Sequence, residues 1–170
     1  MSEIRDHGEM VQVHLLELPV PLAAKSQEHF QELLREFLLI SSDSNGSVDH
    51  VPARLLQLVE VLTQQYGGIN STAEERLEAA IACGDKVIDD HVLDMPTAAG
   101  PAAQALGDTI DEADRYCREG QHLLTLATPD DCVAYRHWYL SQCIEQAAGS
   151  PPVSWPEFAR TAPGFGPPQG

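Results

Sequence analysis

Apolar and polar positions alternate near the start of the chain: Val11, Val13 and Leu15 are spaced by Gln12 and His14, and Pro19 closes the run. A period of two with β-branched residues predicts a strand over 11–18. Beyond Pro19 and Pro21 the period lengthens. Phe30, Leu33, Leu34, Phe37 and Leu38 recur at three- and four-residue spacing while Gln27, Glu28, Gln31, Glu32 and Arg35 face away, which predicts an amphipathic helix over 22–40. The Ser/Asp/Asn/Gly run at 41–47 offers the backbone local hydrogen bonds and reads as a loop. A second helix over 52–66 carries Leu55, Leu58, Val59, Leu62 and Tyr66 and stops at Gly67-Gly68. Ser71 and Thr72, three residues before Glu74 and Glu75, resemble a capping box opening a third helix over 73–85.

Ile88, Val92 and Leu93 before Pro96 predict a second strand over 88–95. Ala102, Leu106, Ile110, Ala113 and Cys117 then mark a helix over 97–118 that Gly120 ends. Residues 122–127 read as a third short strand. Thr128-Pro129-Asp130-Asp131 has the residue order of a helix start, with acids placed to complement the dipole of a helix over 130–148. The fold class expected is therefore α+β and predominantly helical, with five helices and two or three short strands that pair with one another in a single domain over 10–149. Residues 1–9 are expected to be flexible. The tail 150–170 holds six of the twelve prolines and three of the twelve glycines, so it is expected to lack regular structure while docking partly through Trp155.

Composition narrows the partners. Ten Lys and Arg stand against 26 Asp and Glu, a formal charge of −16, and no two basic residues are adjacent. Counterion release on nucleic acid needs clustered cations, so nucleic acid is excluded as an expected partner. An anionic membrane surface is disfavoured by the same charge, and no apolar run approaches a span. Residues 85–131 hold eleven acids and three bases, a balance of −8 that is half the total. With 43% apolar residues the chain can build a sizeable core. The acidic, polar start does not read as a signal peptide, and Cys83, Cys117, Cys132 and Cys143 are expected to be reduced thiols in a cytoplasmic protein.

Candidate chemistry is sparse. Asp108, Asp111, Glu112 and Asp114 share helical spacing and could offer oxygens to magnesium, but a solvated face paired with Arg115 explains them better. Cys117, His122, Cys132, His137 and Cys143 lack the spacings of a zinc site. His29 beside Glu28 and Glu32 reads as surface decoration. No nucleophile or phosphate-loop motif is present, so no metal, cofactor or catalytic residue is assigned and no enzyme class stands out. Tyr135-Arg136-His137-Trp138-Tyr139 is the least ordinary stretch. Its aromatics cannot all face one core, so they pack on the tail or on a partner.

Two stretches resemble a group of uncharacterised actinobacterial proteins: Val13-His14-Leu15-Leu16-Glu17-Leu18-Pro19-Val20 with the helix His29–Phe37, and Leu123–Pro129 continuing to Arg136-His137-Trp138-Tyr139-Leu140. With Asp111–Cys117 between them, the resemblance spans most of 10–156. Such proteins accompany STAS-domain anti-sigma antagonists and ATPase-fold anti-sigma serine kinases. The resemblance implies a non-enzymatic regulatory role through protein contacts in a partner-switching pathway, with a STAS-domain or anti-sigma protein as partner. The start also resembles those kinases, yet residues 73–87 lack their Glu-Leu-x-x-Asn-Ala pattern and no glycine-rich lid follows, so ATP binding is not expected. Arg35, Arg136, Trp138 and Tyr139 are the expected contact residues: arginine offers a fork to a carboxylate or phosphoserine, and the rings offer area at low entropic cost. The alternative is a small-molecule sensor, or a degenerate ATPase-fold protein, with a ligand pocket between helices.

Overall fold

A computed structural model describes residues 8–43, 50–120 and 127–162. Strand β1 (Met10–Pro19) leads into α1 (Val20–Asp43), α2 (His50–Tyr66) and α3 (Ser71–Cys83). Strand β2 (Val87–Pro96) follows, then a 3-10 turn (Thr97–Ala99), α4 (Gly100–Glu119), α5 (Asp130–Ala147) and α6 (Trp155–Thr161). The fold is α+β and predominantly helical, as the periodicity predicts. The strand expected over 122–127 lies almost entirely outside the described residues.

β1 and β2 form one antiparallel pair, from Met10 opposite Pro96 to Pro19 opposite Val87. Three pairs face the core: Val13–Leu93, Leu15–His91 and Leu18–Ile88. Alternation along β1 therefore shifts by one position between Leu15 and Leu18. Glu17 causes the shift, because its φ of 53° is left-handed and the ladder skips Glu17 and Asp89. That reset buries Leu18 while leaving Leu16 half-buried.

Both free edges of this small sheet are partly satisfied by side-chain amides that mimic another strand. Gln146 of α5 accepts from the His14 N–H at 2.8 Å and donates to the His14 carbonyl at 2.9 Å. Asn70 does the same for Asp94, at 2.8 and 3.0 Å. This explains a departure from expectation at α3. Its N-cap is Asn70, whose side chain makes no cap bond because it is spent on the sheet edge, and the expected Ser/Thr capping box does not form.

The tail departs further from expectation. Residues Trp155–Thr161 are helical, because Ser154 accepts from the Glu157 N–H and Pro156 pre-sets the first turn. Trp155 packs edge-on against Trp138 and Tyr135, with centroids 5.7 and 6.1 Å away. The indole N–H of Trp138 donates to the Val153 carbonyl, and the Val153 N–H donates to Gln142 Oε1, both at 2.8 Å. Trp155 thus packs against α5 at the start of a short helix.

Two apolar clusters result. One joins the sheet to Val20, Ala23, Ala80, Tyr135, Trp138 and Cys143. The other joins α1, α2 and α4 through Leu33, Phe37, Leu55, Ile110, Ala113 and Cys117. Helix α1 belongs to both: its first turns pack in the sheet cluster and its later turns against α2 and α4.

Candidate functional site

The two clusters do not merge completely, and the seam between them is a cavity of about 550 Å³. Helices α1, α3, α4 and α5 wall it. Ala23, Leu77, Tyr135 and Tyr139 come from the sheet side, and Phe30, Leu33, Leu106 and Ile110 from the other. The volume lies in the range of small-molecule sites. Its walls are mainly apolar, and two buried polar atoms on lining residues, His29 Nε2 and Arg136 Nε, have no hydrogen-bond partner among the described residues. Buried polar groups are normally satisfied, so two unpartnered atoms on residues of one cavity wall are unusual.

Arg136 reaches the cavity from α5 as the hub of a partly buried network. Its Nη2 donates to Asp111 Oδ1 at 2.7 Å and to Asp114 Oδ2 at 2.6 Å. Asp114 is itself buried and accepts from the Thr128 hydroxyl, while His137 Nε2 lies 3.1 Å from Asp111 Oδ1. Burial alone pushes the Asp111 carboxyl up, but its hydrogen bonds from His137 and Arg136 outweigh that and hold it below the usual carboxylate value. The acidic cluster of α4 is therefore organised between helices. Asp111 and Asp114 meet Arg136 of α5, and Glu112 meets Arg54 of α2, whereas the expected pairing with Arg115 is not what holds them.

The structure separates the expected contact residues. Arg35 stands exposed on α1. Arg136 is only 13% exposed in its side chain and is engaged by two carboxylates, so it is not an open fork for a partner. Trp138 has no exposed area and belongs to the core and tail packing. Tyr139 lines the cavity. These last three are corrected from partner surface to core and cavity wall, because α5 is central and its aromatics meet the tail. His29 is corrected as well. It lies on the stripe Ser26, His29/Phe30, Leu33, Phe37 that α1 turns inward, and that helical spacing could have found it.

The protonation states of the wall suit binding. Burial pushes the Tyr139 phenol well up, and the Tyr135 phenol with it, so both hydroxyls keep their protons at neutral pH. Burial also raises the Cys132 thiol against a smaller opposing pull from the neighbouring Ser26 hydroxyl, so the wall carries a thiol and not a reactive thiolate. Among the described residues, no three His, Cys, Asp or Glu side chains converge to hold a metal ion, and no helix is long and apolar enough to cross a membrane. Comparisons of the chain with protein-family models, with curated proteins and with solved structures found no match.

Proposed function

We propose that the chain is a non-enzymatic regulatory protein that holds a small molecule in the cavity between α1, α3, α4 and α5, and acts on a protein partner in a partner-switching pathway. The observation that carries the reading is the cavity at the seam of the two clusters, with its mainly apolar walls. A ligand seated there touches both clusters at once, so binding it ties the packing of one cluster to that of the other. Helix α1 supplies the link to a partner. Its inner stripe holds Ser26, His29 and Leu33, while Arg35, Leu38 and Leu39 share an outward face on which Leu38 is 58% and Leu39 54% exposed. The resemblance to proteins that accompany STAS-domain and anti-sigma proteins supports that class of partner.

Native mass spectrometry of the protein isolated from its own cells tests the reading, together with binding of candidate STAS and anti-sigma partners before and after ligand removal. The expected result is a released small molecule, and a ligand added back at 100 times its dissociation constant stabilising the fold by about 2.7 kcal/mol. An empty protein whose melting is unmoved by a broad metabolite library would refute ligand sensing. A ligand-bearing protein that engages neither partner class would refute the pathway.

A further inference from the structure

Granting that the cavity is a ligand site, the charges at its rim define what it accepts. Its lining residues are buried or half-buried except for Gln27 of α1 and Glu74 and Glu78 of α3, which are exposed. The rim through which a molecule enters therefore carries two carboxylates and no cation. Glu74 and Glu78 are four residues apart, so the helix sets them on one face, and Leu77 beside them packs against the sheet cluster. Among the described residues neither carboxylate has an ion-pair partner. Like charges at this spacing weaken a helix, and a cation set between them reverses the effect. The charge of Glu74 also reaches inward. After burial and the neighbouring Cys143 and Tyr135, it helps to hold the proton on Tyr139, a phenol of the cavity wall.

An anion finds nothing comparable. Arg136 is the one arginine or lysine among the lining residues, and Asp111 and Asp114 already lie within 2.7 Å of its Nη2. A bare metal ion needs more ligands than the rim pair, and among the described residues no third His, Cys, Asp or Glu joins it. Behind the rim, Phe30, Leu33, Leu77 and Ile110 supply apolar wall. From this arrangement we infer that the cavity takes an amphiphilic organic cation, with an ammonium head at the rim against Glu74 and Glu78 and an apolar body between Phe30, Leu77 and Ile110. The head stays in contact with water, so no charge has to be buried. The rim pair selects the charge and the seam selects the apolar body, and a fatty acid satisfies only the second.

Octylammonium, octanol and octanoate share one chain length and differ in head-group charge. Each is titrated into the isotope-labelled full chain, and intermolecular Overhauser contacts to the Leu77 and Ile110 methyls locate the octyl chain. Octylammonium is expected to make those contacts and to bind about tenfold more tightly than octanoate, with octanol between them. That preference is expected to shrink at roughly 0.5 M salt, because the rim is open to solvent. In the double variant Glu74→Gln, Glu78→Gln, octylammonium is expected to bind roughly threefold to tenfold more weakly while octanol is unchanged. The double variant Asp85→Asn, Asp89→Asn removes the same charge from exposed positions outside the cavity, and there the preference is expected to persist. Octanol or octanoate binding as tightly as octylammonium overturns the cationic class and leaves the cavity reading standing. Equal weakening in the two double variants overturns the seat on Glu74 and Glu78, since general attraction to a chain of charge −16 then accounts for it. Contacts to Leu77 and Ile110 from none of the probes overturn both the class and the cavity reading, and because the wild-type chain decides this, a poorly folding variant does not protect the inference.

Discussion

Glu17 shows how a single backbone angle decides what a strand buries. In a left-handed conformation it resets the alternation of β1, and the cost for a non-glycine residue is about 1–2 kcal/mol. The gain is Leu18 opposite Ile88 inside the sheet cluster. Strand propensity ranks valine far above glutamate or glycine, yet here the ranking should invert. Glu17→Gly removes the steric penalty and adds a comparable entropic one, so its stability is expected within about 0.5 kcal/mol of the parent. Glu17→Val is expected to lose about 1–2 kcal/mol, because a β-branched side chain fits the left-handed region worst. Denaturant midpoints of the two variants test this, and a valine variant as stable as the parent would show that the reset is not imposed by the fold. Nothing in the spacing of Val11, Val13 and Leu15 announces the angle. It follows from tertiary pairing, where both strands shift their inward face at the same level.

At the scale of elements, what could be read from sequence and what could not divide along a physical line. Seven regular elements were legible because each carries a long stripe of one period between Pro, Gly or Ser/Asn punctuation, and their observed ends move by only a few residues. Helix α6 is not legible in this way, because the proline and glycine content of the whole tail argues against regular structure while the local Ser154–Glu157 start decides the outcome. The cavity was legible only as a possibility. Ser26 and His29 sit on the inward stripe of α1, but whether polar members of a stripe meet partners or empty space depends on three other helices. The same geometry makes Gly107 of α4 informative. A Cβ there comes 3.1 Å from Leu140 Cδ1, closer than comfortable contact, but Leu140 borders the cavity and its end has space to move. Replacing a helix-interior glycine is worth about 0.5–1 kcal/mol, so Gly107→Ala is expected to raise the melting temperature by roughly 1–4 °C. The displaced Leu140 methyl then occupies cavity volume, so affinity for a molecule held in the cavity is expected to fall in the same variant. Thermal melts and titrations on one preparation check both effects. A destabilised Gly107→Ala protein would mean that Leu140 is held in place.

For the whole molecule, the balance of −16 and a few buried titratable groups pull in opposite directions as pH falls. Protonating surface carboxylates relieves mutual repulsion and favours the compact state. His91 opposes this. It is 3% exposed, faces Leu15 across the sheet, and has an unpartnered Nδ1. Burial first, then the nearby Arg76, lowers its pKa below 6.5, with Asp90 pulling the other way. A base held below its unfolded value leaves the folded chain binding fewer protons than the unfolded one. The stability present above about pH 6.5 is therefore lost as pH falls through that value. Asp111 adds a second loss at lower pH. Its carboxyl is held below 3.8, so the stability it contributes is complete above that value and disappears as acid protonates it. Salt separates the opposing effects, since at roughly 0.5 M the long-range repulsion is screened while buried groups are not. Under that condition the denaturation midpoint is expected to fall between pH 7.5 and 5.5, and to fall less in His91→Leu, which keeps an apolar contact for Leu15 and has no proton to take up. At low salt the fall is expected to shrink, because relief of surface repulsion offsets it. If the parent and His91→Leu decline equally at high salt, the acid sensitivity of this window belongs to other groups, and the buried face of the sheet plays no part in it.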